Sequence, residues 1–367
     1  MLGGSSTLSR YFALRFLRTT LLIFLVCFVL IAVVDYVELA QRWAGDDTFS
    51  AGRTFLVSIF RVPQVIERAL PFTVLFAAIS TFVMANRKLE LVVTRAAGLS
   101  AWQFLLPATI VALGIGVFAT TVFNPFSAML KERSLEIAAS LRASGGGLTQ
   151  RDQSNGALWL RQSGKDGASI IGAKDSTDQG LTLIDVTAFV FENDGAFRRR
   201  IDAGKALYAD GSWRFVDATV TEPGKRPEPV AETRLATNLG PREVREAFAN
   251  PETISFWSLP SLIAIARTTG LPSHQFELQY QTLLAQPLFL LAMVLVAATV
   301  SLRFSRSREI GQVIVTGVAI GFVLYVIGEI ARDLGGSGVV PATVAAWTPA
   351  IIAALMSVTV LLHREDG

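Results

Sequence analysis

At 367 residues, with 51% hydrophobic and 17% charged side chains and a mean hydropathy of +0.46, the chain is too apolar for a soluble protein of its length and belongs in a membrane. Its net charge of +3 is small and its basic residues are spread over several loops, which argues against nucleic acid as a partner and leaves positive charge to set topology. The single cysteine, Cys27, lies in an apolar run, so a disulfide framework is excluded.

Residues 19–34 are uncharged and follow Arg10, Arg15 and Arg18, whose snorkelling stems bring the run to bilayer length. The run leads into Asp35, Tyr36, Val37 and Glu38 rather than into a small-residue cleavage site, so it is expected to be a retained first span. Residues 69–86 form the uncharged core of a second span. The mixed segment 55–68 is expected to approach it as a helix on the far side of the membrane, bent at Pro63 and Pro71. A third apolar run, 102–123, is expected to stop at Asn124 and Pro125; residues 278–302, 310–328 and 343–362 supply spans four to six. Six spans put both termini on one side. Arg10, Arg15 and Arg18, then Arg87, Lys88 and Arg95, then Arg303, Arg306 and Arg308, then Arg364 gather there, and the positive-inside rule makes that side cytoplasmic. The chain is thus divided into 1–130 with three spans and a short cytoplasmic helix at 86–98, an extracytoplasmic insert at 131–277, and 278–367 with three more spans.

The insert reads as an all-β domain. Candidate strands are 156–162, 168–174, 181–191, 197–206, 212–222 and 230–236, with Asp194-Gly195 and Asp210-Gly211 as hairpin turns between alternating segments. On the fifth, Trp213 and Phe215 are expected on one face and Val216, Ala218 and Val220 on the other; this predicts either a groove or a packed core with a covered second face. Residues 134–143 followed by three glycines, 145–147, read as a helix end and a joint into the domain. Residues 258–267 read as a capped amphipathic helix leading out of it.

Motifs for chemistry are missing. Every Gly-Lys pair is followed by Asp166, Ala206 or Arg226 rather than Ser or Thr, so there is no P-loop; no Gly-x-Ser-x-Gly elbow occurs, and His274 and His363 are far apart. No catalytic residue, cofactor or metal site is expected. Among acidic residues only Asp35 and Glu329 approach the membrane edges, which disfavours a proton-coupled pump. Gly317 and Gly321 form a Gly-x-x-x-Gly that permits close helix approach. Residues 86–98 place Leu89, Val92, Val93 and Ala96 at helical spacing, so they form either a helix that docks on a partner or a turn whose charges only obey topology. Six spans favour a permease over a membrane-anchored scaffold, for which one span would suffice. An enzyme acting on lipids lacks its nucleophile or metal.

In this order of elements, and in two stretches, the chain resembles the LptF/LptG lipopolysaccharide export permease family. Arg87-Lys88-Leu89-Glu90-Leu91-Val92-Val93-Thr94-Arg95-Ala96-Ala97-Gly98-Leu99-Ser100 is similar to the family's coupling segment. The stretch from Pro251-Glu252-Thr253-Ile254-Ser255 through Gln286-Pro287-Leu288 is similar to its re-entry into the fourth span. Arg10-Tyr11 also matches, the β domain matches mainly in topology, and the last two spans with the short tail after Leu362 are more like the LptG branch.

The resemblance implies an α-helical polytopic membrane protein with six transmembrane helices and an inserted periplasmic β-jellyroll-like domain. It implies a non-enzymatic permease subunit of the ABC transporter that extracts lipopolysaccharide from the Gram-negative inner membrane for outer-membrane assembly. The implied partners are two copies of the LptB ATPase, the sister permease LptF, and LptC near the first span. Coupling would fall to Glu90, where the family carries a carboxylate that meets LptB, with Arg87, Leu91, Arg95 and Gly98 around it. Some members carry basic residues late in the first span and soon after it, and near the start of the fourth, to meet lipid A phosphates. This chain has Asp35, Glu38, Gln41 and Arg42, then Leu283, which leaves Arg42, Arg61, Arg68 and Arg133 as substitutes. Phe189, Phe191, Phe215 and Val220 are the candidates along an acyl-chain path.

Overall fold

The computed structural model describes residues 3–43, 51–96, 98, 100–144, 158–164, 167–177, 181–192, 196–240, 244, 253–269, 273–301 and 310–365. They form two compact units, a helical one (Met1–Leu141, Glu252–Pro260, His274–Gly367) and a β unit (Arg142–Pro251, Ser261–Ser273). The helices are α1 (Gly3–Trp43), α2 (Ala51–Arg87), α3 (Glu90–Ala96), α4 (Ala101–Phe118), α5 (Asn124–Ser144), α6 (Leu259–Thr269), α7 (His274–Ser301), α8 (Ile310–Gly336) and α9 (Ala342–Glu365).

All six expected spans are helices long and apolar enough to cross a membrane: Thr7–Gln41, Ala51–Arg87, Trp102–Leu135, His274–Ser301, Gly311–Gly336 and Ala342–His363. Burial ranks them. The apolar window of the fourth is 67% buried inside the chain, against 11% for the first and the fifth, so α7 is the hub and α1 and α8 lie at the rim. Lipid tails are as apolar as leucine, so helix association rests on close van der Waals packing between small residues. Ala77, Ala85, Ala112, Ala292 and Ala297 are accordingly fully buried, between larger side chains such as Phe16, Phe82 and Leu290. Gly317 and Gly321 serve the same purpose within the chain: a Cβ on either would collide with Ile79 or Leu75 of α2.

Segment 55–68 is helical, as expected, and continues into the second span as one helix, α2, through Pro63 and Pro71. The expected stop of the third span at Asn124 and Pro125 is corrected: the span passes through a π-helical turn (Ala119–Phe123) into α5. A proline inside a helix withholds its N–H from the carbonyl four residues back. Two of the carbonyls so orphaned receive side-chain donors: Trp257 Nε1 donates to the Thr121 carbonyl, freed by Pro125, at 3.0 Å, and Thr120 Oγ1 donates to the Leu283 carbonyl, freed by Pro287, at 2.8 Å. Gly116 lets α4 close on Pro287, whose Cα a Cβ would overlap. The Thr120 bond joins the third and fourth spans at the π turn, and the Trp257 bond ties the segment before α6 to the same turn.

The β unit is one antiparallel meander, β1 (Leu158–Gly164), β2 (Gly167–Thr177), β3 (Thr182–Phe191), β4 (Phe197–Ala209), β5 (Ser212–Thr221) and β6 (Glu228–Ala236), each strand paired with the next. Asp210 and Gly211, with φ of 51° and 70°, make the two-residue turn between the paired Ala209 and Ser212, in the left-handed geometry that matches strand twist. Residues 145–147 and 193–195 lie outside the described ones. Ala266 of α6 packs on the sheet.

The expected two-faced fifth strand is overturned by a bend. Asp185 on β3 and Asp217 on β5 have φ of 49° and 53°, flank Gly204 on β4 in one row, and interrupt the pairing there. A left-handed residue in a strand shifts the alternation of side chains by one. Burial across the row therefore steps by three: Leu183 to Val186, Ala203 to Ala206, Phe215 to Ala218. Trp213, Phe215, Ala218 and Val220 consequently pack on one core, inside which Trp213 Nε1 donates to Gln162 Oε1 at 3.1 Å.

Candidate functional site at the two ends of the helical unit

Twenty residues of α1, about 30 Å of helix, separate two clusters of charge. At the first end α2 closes with Arg87, and Leu89 takes a left-handed turn (φ 56°) into α3. Leu91 is fully buried and joins the core that holds Phe12, Phe16, Phe82 and Phe104. With Leu91 turned in, Leu89 and Val93 face out at 60% and 65% exposure, beside exposed Arg87 and Lys88. Gly98, with φ 80°, follows α3, and Ser100 and Gln103 cap α4 reciprocally.

Glu90 does not face outward. Arg15 Nη1 donates to Glu90 Oε2 at 2.6 Å, and Tyr11 Oη donates to Glu90 Oε1 at 3.4 Å. The Arg15 guanidinium lies 5.9 Å from the centroid of the Tyr11 ring, and the ion pair is 14% and 22% exposed on its two sides. Sequence reasoning assigned Arg15 to topology alone. The side chain of Arg95 lies outside the described residues.

At the second end Asp35 of α1 is buried next to Arg61 of α2, at 3.7 Å, a separation that leaves an ion pair but no good hydrogen bond. Asp35 Oδ2 has no hydrogen-bond partner among the described residues. Arg61, Arg68 and Asp35 all act electrostatically on Lys131 of α5, and Arg68 also acts on Glu67. An apolar contact of Leu39, Val57 and Ile137 joins the same three helices. Arg133 is exposed two residues beyond Lys131, a helical step that turns it to another face; the side chain of Arg42 lies outside the described residues.

Sequence reasoning passed over Lys131, and also over Glu67. Asn124 Nδ2 and Ser127 Oγ donate to the two Glu67 carboxylate oxygens at 3.0 and 2.7 Å, while Asn124 Oδ1 accepts from the Phe256 N–H at 2.9 Å. The signal for both was a charge inside a helix-forming stretch: Glu67 lies in the segment expected as a helical approach to the second span, and Lys131 at the boundary drawn for the insert. Of the apolar-path candidates, Phe215 is fully buried and Val220 packs on its core. Phe189 and Phe191 are half-buried against Phe197 on the opposite face, with the Arg200 guanidinium 5.7 Å from the Phe189 ring.

Six spanning helices, an inserted antiparallel β unit and a short helix hung between the second and third spans define an integral membrane protein of permease architecture. The sequence profile of the lipopolysaccharide export system permease LptF/LptG matches residues 10–363, and the chain belongs to that family, whose members reside in the inner membrane. It is similar to the lipopolysaccharide export system permease protein LptG of Haemophilus influenzae, 25% identical over 98% of this chain and 99% of that one. The protein of the same description from Escherichia coli K12 is 23% identical over 98% of each chain.

Proposed function

We propose that this chain is an LptG-like subunit of the inner-membrane lipopolysaccharide exporter, with its termini and α3 in the cytoplasm and its β unit in the periplasm. ATP hydrolysis then resides in two LptB subunits, and LptF and LptC complete the complex. The observation that carries this reading is α3. Seven residues are too few for a helix to be stable alone. Leu91 anchors it, yet Leu89 and Val93 stand exposed one turn apart; the positive-inside rule accounts for Arg87 and Lys88 but not for two bare apolar side chains. An ATPase surface that covers them gives both a purpose.

The gathering of Arg61 and Arg68 about Lys131 supports these residues as the group that receives the substrate's phosphates, in place of the basic positions filled here by Asp35 and Leu283. Arg42 and Arg133 stay candidates for the same role through the family resemblance alone. Phe189 and Phe191, beside Arg200, are better disposed for an acyl chain than Phe215 and Val220, which close the sheet's own core.

Leu89→Glu with Val93→Glu tests the docking role. Loss of two interface anchors at about 2 kcal/mol each weakens LptB binding roughly 1000-fold, so LptB should be lost on purification while LptF is retained. LptB retained at the wild-type level would remove α3 from the interface.

A further inference from the structure

We propose that Asn124 is a positioning residue for lipid transfer: on the reading that Arg61, Arg68 and Lys131 receive the lipid's phosphates, it links that cluster to the segment 253–258. Its side chain carries both halves of the link. Nδ2 donates to Glu67 Oε1 of α2 at 3.0 Å, and Oδ1 accepts from the Phe256 N–H at 2.9 Å. The two demands are opposite, since an ionised carboxylate takes only a donor and a backbone N–H only an acceptor, so the amide can stand in one orientation alone. An aspartate here would offer no donor and a leucine neither group. Asn124 is buried, so a bond lost on either side leaves a polar group unsatisfied.

On one side the link reaches the cluster. Glu67 precedes Arg68 in α2, and Ser127, which donates to its other oxygen at 2.7 Å, stands one turn before Lys131 on α5. Arg68 acts electrostatically on both Glu67 and Lys131. On the other side Phe256 belongs to Glu252–Pro260, the stretch of the helical unit that separates two pieces of the β unit along the chain, Arg142–Pro251 and Ser261–Ser273. The Phe256 ring stacks on Tyr280 of the fourth span, and Trp257 donates to the Thr121 carbonyl of the third, so the stretch is seated on both. Asn124 itself closes the π turn of the third span, a bulge of the kind frequent at functional sites. Ser127 holds Glu67 and the Asn124 carbonyl, whereas Asn124 holds Glu67 and Phe256. The first fastens α2 to α5; the second also passes a displacement of either to the stretch that joins the pieces of the β unit.

The experiment uses the full complex in lipid discs and reads lipopolysaccharide affinity without nucleotide and lipid released per ATP hydrolysed. Asn124→Ala should lower release per ATP roughly tenfold, the size of a typical coupling between sites, with affinity held within about twofold because Ser127 still holds Glu67. Ser127→Ala, which also strips one donor from Glu67, should keep release within about twofold of the wild type. The exchange Asn124→Asp with Glu67→Gln moves the charge but keeps each bond, so it should release lipid like the wild type, while Asn124→Asp alone should not. If Asn124→Ala fails to assemble, Asn124→Leu with Glu67→Leu removes both polar partners together and should show the same loss of release. Equal losses in Asn124→Ala and Ser127→Ala, or an exchange as poor as Asn124→Asp alone, would mean that these bonds only fasten the helices, and the proposal falls. A loss of affinity in Asn124→Ala as large as in Lys131→Gln would make Asn124 part of the receiver, and the proposal falls while the receiver stands. Wild-type binding by Lys131→Gln would remove the receiver itself and the proposal with it.

Discussion

The two ends of the first span carry the same kind of contact with opposite balance. Near its start Arg15 meets Glu90 one to one, with Nη1 at hydrogen-bond distance from Oε2 and the Tyr11 hydroxyl 3.4 Å from Oε1, while Arg15 Nη2 has no hydrogen-bond partner among the described residues. Near its end Asp35 meets Arg61 only at 3.7 Å, keeps one oxygen unpartnered among the described residues, and acts with Arg61 and Arg68 on Lys131. A matched pair in partial burial leaves no charge for a ligand, and its use is to hold two elements together. An unmatched cluster retains attraction for an anion from outside the chain. On the function proposed above, the first end holds two elements together and the second is the candidate receptor for an anion.

Weakening the joint between these ends sharpens the distinction. Thr120→Val leaves the Leu283 carbonyl without its donor, and interhelical bonds of this kind contribute about 1 kcal/mol in membranes. The complex should melt a few degrees lower with lipid affinity and LptB retention unchanged; if lipid affinity fell in step, the ends would not be independent. A smaller effect should follow Asp35→Asn. Removing a carboxylate that competes with the ligand for Arg61 and Lys131 should tighten lipopolysaccharide binding roughly threefold, as expected for a single charge near a protein surface. Weaker binding would make Asp35 the organiser of the cluster rather than a competitor.

The spans and strands were legible because their signals are local. Uncharged runs of bilayer length fix a helix whatever lies around it, and Asp210-Gly211 fixes a hairpin by its own backbone preference. Where partners are remote in sequence, reading failed. Nothing near Pro125 announces Trp257, which satisfies the carbonyl that the proline orphans, so the third span read as ending there. Asp185 and Asp217 looked like ordinary polar positions, and only their alignment with Gly204 across three strands shows that they reverse the side-chain phase. Glu90 was found as a carboxylate in a basic loop, but its partner is 75 residues earlier and was counted among the charges that set topology.

The central claim, that one end holds and the other receives, is tested most directly by equilibrium binding of lipopolysaccharide, without nucleotide, to lipid-disc complexes of the wild type, Lys131→Gln and Arg15→Gln. A hydrogen bond between a charged donor and a phosphate contributes about 1.5–3 kcal/mol, so Lys131→Gln should weaken binding roughly tenfold or more. Arg15→Gln should bind like the wild type, because Arg15 stands at the other end of the first span. Equal losses in the two variants, or a loss in Arg15→Gln alone, would contradict the account.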